Sequence, residues 1–176
     1  MEIQYIDSRI KNYFAQWINF NLINSDLATL GLVEPAMVRQ HFLFYSTWDI
    51  LCFCHFHQHL LKNSGSNIFT AIGLNPCSSF IQSFKKQFPN VSTITVFDNN
   101  LLGKVLDCKV LMSFLGKDLS FKLQNDKIVF TYNARVFSVS EQLFSLHHFR
   151  CLTGLRYKLR TIKPKGAISF SELLAK

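Results

Sequence analysis

The chain has 176 residues, the usual size of one domain, and its 48% hydrophobic content with 18 Phe is ample for a core and too apolar for a disordered chain. The apolar residues come in short runs broken by charges, which argues against a helical membrane span of roughly 18 to 20 apolar residues. The formal net charge of +8 is unevenly placed: residues 1–126 balance to +1, whereas residues 127–176 carry nine Lys/Arg against Glu141 and Glu172 alone. The start, Met1 to Tyr5, lacks the basic and apolar regions of a secretory signal. Five cysteines in apolar surroundings, an odd number, read as reduced and mostly buried thiols. The expectation is a cytoplasmic globular protein.

Along the chain, Ile10, Tyr13, Phe14, Trp17 and Ile18 recur at helical spacing, with Asp7 or Ser8 as the cap. Ser25-Asp26 is expected to open a second short helix that ends by Gly31 and Pro35. From residue 40 the pattern alternates. His41 to Tyr45 is a short continuous apolar run, the mark of a strand buried on both faces. Thr47 is expected to cap a helix reaching about Lys62, and Asn67 to Ile72 is a second strand. Pro76 opens a helix to about Phe88. Val91 to Phe97, rich in β-branched residues, is a third strand. Asn100 to about Gly116 is a helix. Two strands, Ser120 to Leu123 and Lys127 to Tyr132, flank a hairpin turn, with Arg135 to Val139 as a further strand. A helix is expected around Glu141 to Leu155, followed by a less regular basic tail.

This order of strands and helices predicts an α/β fold, doubly wound, with a mainly parallel sheet flanked by helices. The expected divisions are an N-terminal helical segment over 1–38, an α/β core over 39–140 and a basic C-terminal extension over 141–176, all in one globular unit. Ligands of such sheets bind at the carboxyl ends of the strands, which directs attention to Tyr45-Ser46, Gly73 and Asp98-Asn99-Asn100.

Those segments carry a resemblance. Phe42 to Leu51, Phe69 to Gly73 and Thr93 to Lys104 resemble, in order, three motifs of Toprim domains of the primase and mobile-element type. In that family a strand ends in a catalytic Glu, a second strand ends in Gly, and an Asp-x-Asp pair precedes a Gly-Arg/Lys. The resemblance covers roughly residues 40–116 and implies a Toprim-like fold, work on nucleic acid and a Mg²⁺ site. By position the Glu corresponds to Tyr45 and the second Asp to Asn100, so Asp98 remains, with Asp49 nearby. Magnesium needs hard oxygen ligands, and the loss of two carboxylates implies vestigial catalytic residues, no cofactor or at most a weak Mg²⁺ site on Asp98 and Asp49.

Two other chemistries have the residue types they need. Cys52, His55 and His59 would share a helix face suited to zinc, but the segment lacks a separated Cys-x-x-Cys pair. Cys77 at a helix start would have an acidified thiol, without a visible base.

The C-terminal segment points to a partner. Arg150, Arg156, Lys158, Arg160, Lys163 and Lys165 occur with no acid between Glu141 and Glu172, and with Phe144, Phe149 and Tyr157 interleaved. Cations on a phosphate backbone release counterions, and aromatics stack on unpaired bases. Phe144 and Phe149 are equally read as core. The expected function is a noncatalytic Toprim-like protein associated with nucleic acid. The alternatives are a weakly active Mg²⁺-dependent phosphoryl-transfer domain and a protein-interaction subunit rich in aromatics. No membrane partner is expected.

Overall fold

The computed structural model describes residues 3–20 and 28–176. It contains a five-stranded sheet ordered β1-β3-β2-β4-β8, formed by Ala28–Leu30 (β1), Gln40–Phe44 (β2), Asn67–Ala71 (β3), Ser92–Thr95 (β4) and Leu159–Thr161 (β8). Strands β2, β3, β4 and β8 run parallel, and only β1 is antiparallel, pairing Thr29 with Thr70. The second sheet is an antiparallel meander of Phe121–Gln124 (β5), Lys127–Tyr132 (β6) and Arg135–Ser140 (β7).

Both faces of the main sheet are covered, as its continuous apolar strands require. Phe42 and Phe44 point to one face, where Ser8–Phe14 (α1), Thr47–Phe56 (α2) and Phe170–Leu174 (α6) pack. Leu43 and Tyr45 point to the other, against Ser78–Gln87 (α3), Leu101–Phe114 (α4), Leu146–Thr153 (α5) and the meander. From β2 the chain moves outward to β3, then crosses back to β4 on the other side of β2. That reversal is the switch point of a doubly wound sheet, and it lies between the carboxyl ends of β2 and β4.

Several local expectations are corrected. Ala28–Leu30, placed within a helical N-terminal segment, is an edge strand; the helix start at Ser25-Asp26 lies outside the described residues. The cap of α2 is Ser46, and α2 ends at Phe56, followed by a 3₁₀ turn over Gln58–Leu61. Helix α5 is shorter than Glu141 to Leu155 because Ser145 caps its start and Gly154, at φ 71°, ends it. The basic tail, expected to be less regular, contributes a strand and a helix. Leu159–Thr161 completes the sheet beside β4, and α6 docks Phe170 on Phe53. Phe144 and Phe149 are fully buried.

One buried polar residue sits in β2. His41 is 1% exposed, shares a hydrogen bond of 2.8 Å with the Thr70 hydroxyl, and meets Phe84 and Phe88 edge-on. Burial depresses its pKa to about 3. Between that value and the ordinary 6.5 the unfolded chain binds a proton that the folded chain refuses, so stability falls as pH drops below about 6.5. This single group should remove roughly 2 kcal/mol between pH 7.5 and 5. Urea titrations at the two pH values should show that increment in the parent and not in His41→Phe. Equal pH dependence in both proteins would refute this assignment.

Candidate functional site

A pocket of about 360 Å³ opens at the switch point and is lined by Tyr45, Ser46, Asp49, Gly73, Asp98 and Ser169, among others. Three of the four residues singled out by sequence therefore meet here, at the ends of β2 and β4. Asn100 lines a neighbouring groove instead. Its Oδ1 accepts the Gly103 amide at 2.9 Å, which makes it the cap of α4. Gly103 has a packing reason to be glycine: a Cβ there would collide with the Asp98 carbonyl oxygen and press on the Tyr45 hydroxyl.

The acids of this pocket are held largely by local structure. Ser46 donates from its hydroxyl to Asp49 Oδ2 at 2.6 Å, and the Asp49 amide donates back to Ser46 Oγ at 3.2 Å, a reciprocal cap at the start of α2. Burial raises the Asp49 pKa against these hydrogen bonds. Asp98 is raised first by burial and then by the nearby Asp49 charge, with Lys163 acting in the opposite direction. Burial, followed by the charges of Asp98, Asp107 and Asp49, pushes the Tyr45 phenol up, so it stays neutral. Its buried hydroxyl has no hydrogen-bond partner among the described residues.

Beneath the pocket lies an ion pair absent from the sequence reading. Asp107, 1% exposed on α4, accepts the Thr95 hydroxyl at 2.6 Å and pairs with Lys163 at 2.8 Å. The same ammonium donates to the Asp98 carbonyl oxygen at 3.1 Å. Lys163, expected to face a phosphate backbone, is thus directed inward. The available signal was Asp107 itself, a carboxylate flanked by Leu106, Val110 and Leu111 on a buried helix face. Nothing in the sequence marks Lys163 as its partner.

These donors make a poor site for the Mg²⁺ implied by the Toprim resemblance. Tyr45 is a neutral phenol, the Asn100 carbonyl caps α4, and the Asp49 and Asp98 carboxyls are both raised in pKa by burial. Among the described residues no group of three or more His, Cys, Asp or Glu is placed to hold a metal ion. The zinc pattern is dispersed likewise. Cys52 and Cys54 are buried, His55 accepts the Asp7 amide, and His59 lies beyond the end of α2.

The other basic residues divide by environment. Arg150 donates from one guanidinium nitrogen to the Tyr157 and Leu159 carbonyl oxygens, both at 2.6 Å, and so braces the edge strand β8. Arg156, Lys158, Arg160 and Lys165 are exposed, and none forms an ion pair among the described residues. Tyr157 stacks on Phe114, with ring centroids 5.6 Å apart. No described helix is long and apolar enough to cross a membrane.

Comparison with protein-family models, curated proteins and solved structures finds no match to this chain.

Two outcomes follow from the charges and thiols. Asp107→Ala should lose about 3 kcal/mol because the Lys163 ammonium is left half-enclosed without its counter-charge, and Asp107→Leu with Lys163→Met should recover much of it. Asp98→Asn should be at least as stable as the parent at pH 7, since its raised pKa means the fold disfavours that charge. Denaturant midpoints check all three, and a marked loss in Asp98→Asn would contradict the analysis. Cys77 is exposed at the start of α3, and hydrogen bonds from the Ser79 side chain, then from the Ser79 and Phe80 amides, lower its pKa. Burial pushes Cys52 up to about 12 and raises Cys54 and Cys108 as well. Mass-spectrometric alkylation should therefore modify Cys77 in the folded protein while those three stay unmodified until denaturant is added. Rapid native labelling of Cys54 would be incompatible with this packing.

Proposed function

We propose that this chain is a noncatalytic, Toprim-like protein associated with nucleic acid, binding the phosphate backbone through Arg156, Lys158, Arg160 and Lys165. The observation that carries the reading is the contrast between these four exposed, unpaired cations and the internal engagement of Arg150 and Lys163. Four cations without local acid partners concentrate positive potential along one edge of the sheet, which favours a polyanion.

The Toprim-like part rests on the three sequence segments and on a doubly wound sheet that brings Tyr45, Asp49 and Asp98 to one switch point. The noncatalytic part rests on a neutral Tyr45 and on an Asp98 whose charge burial and Asp49 disfavour, with the nearby Lys163 ammonium pairing Asp107 instead. The protein-interaction alternative draws little from the phenylalanines. All 18 Phe lie in the described residues, and only Phe56 is exposed, at 42%.

Fluorescence anisotropy with labelled single- and double-stranded oligonucleotides across a salt series tests the proposal. Binding should weaken steeply with salt and be indifferent to Mg²⁺. Neutralising Arg156, Lys158 and Arg160 together should reduce the slope of log K against log salt by about 2 on single strands. Absence of binding at low salt, or an unchanged slope in the triple variant, would overturn it.

A further inference from the structure

A second pocket, of about 420 Å³, opens at the opposite end of the sheet from the carboxylates, beside the amino-terminal starts of β2 and β4. Its walls come from three separate parts of the chain: Lys85 on α3, Asn90 and Ser92 at the entry to β4, and Arg156, Tyr157 and Lys158 leading into β8. Three cations and no carboxylate line it. The volume is far beyond what one phosphate fills and falls in the range of small-ligand sites, roughly 300 to 1,000 Å³.

The wall chemistry is mixed in a useful way. Tyr157 is fixed by stacking on Phe114, and the Lys85 ammonium stands 5.7 Å from its ring centroid. This attraction holds a flexible lysine at the aromatic wall. His41 lines the pocket as a neutral imidazole, so it adds an apolar ring and no charge. Asn90, Ser92 and Thr93 supply uncharged hydrogen-bonding groups. Cations for a phosphate, a flat apolar wall for a ring and neutral polar groups for its edge are together the requirements of a nucleotide.

We propose that this pocket receives one nucleotide unit of a nucleic-acid strand, with its base taking the face of Tyr157 over which the Lys85 ammonium stands and its phosphate on Arg156, Lys158 and the Lys85 ammonium so displaced. The proposal rests on the nucleic-acid reading above and adds Lys85, which is distant in sequence from the basic tail. It gives the strand a fixed point of entry, from which the backbone continues along Arg160 and Lys165. An acidic peptide would use the cations and leave the aromatic wall without a partner.

The test uses anisotropy with a labelled oligothymidylate and three substitutions that each change the charge by one. Lys85→Gln and Asn90→Asp alter exposed positions in the pocket, and Lys122→Gln alters an exposed position on β5. The two pocket variants should bind about tenfold more weakly than the parent, and Lys122→Gln within about twofold of it. Thymidine monophosphate should displace the strand at concentrations where inorganic phosphate does not. If the parent binds but both pocket variants behave as Lys122→Gln does, the pocket assignment falls and the nucleic-acid reading stands. Equal displacement by phosphate also overturns the nucleotide assignment. If the parent does not bind at all, both readings fall.

Discussion

A carboxylate enclosed in the middle of a helix must find a cation or surrender its charge, and Asp107 finds Lys163 at 2.8 Å. Most of what distinguishes the switch point follows from that contact. Thr95 supplies the second hydrogen bond, so the pair joins β4, α4 and the segment after β8 at one place. The ammonium also holds the Asp98 carbonyl, which fixes the backbone at the end of β4. The following residue is held as well, since the Asn99 amide donates to the Ile168 carbonyl at 2.7 Å. The C-terminal segment therefore forms part of the wall of the acid pocket and contributes Ser169 and Ser171 to it.

The same pair explains why positive charge near these acids does not serve an external phosphate. A lysine that is bonded to a buried carboxylate and a backbone carbonyl has little donor capacity left for a ligand. The two ends of the sheet are consequently opposite in character. The carboxyl end holds Asp49 and Asp98 in its pocket with the Asp107–Lys163 pair beneath, whereas the amino end gathers Lys85, Arg156 and Lys158 around a tyrosine.

The strands and helices of the core were legible because their signals are local and redundant. β2, β3 and β4 are short apolar or β-branched runs, and each is followed by a helix with a recognisable start. The first hairpin announces itself through Asn125-Asp126, both at positive φ, as a two-residue turn of this kind requires. The second uses Asn133-Ala134 at φ 49° and 62°, and alanine is a weak signal for a conformation it adopts reluctantly. β1 and β8 were missed for a different reason. Each is three residues long, and three residues carry too little periodicity to reveal that the sheet completes them. At the site, Tyr45, Asp49 and Asp98 were legible because strand ends at a switch point converge. The Asp107–Lys163 pair was not, because its partners are 56 positions apart and only folding brings them together.

The exposed cations of the tail admit a purely structural explanation, since β8 is an edge strand and charges on edges discourage unwanted pairing between sheets. That duty is already discharged by other means. β8 is only three residues long, and Arg150 occupies the carbonyl oxygens of both Tyr157 and Leu159, which an incoming strand would need as acceptors. Edge protection thus accounts for Arg150 and leaves Arg156, Lys158 and Arg160 in excess. It also gives no reason for Lys85, which belongs to α3 and yet faces the same tyrosine. The convergence of cations from two distant parts of the chain on one aromatic ring is therefore not accounted for by the needs of the edge.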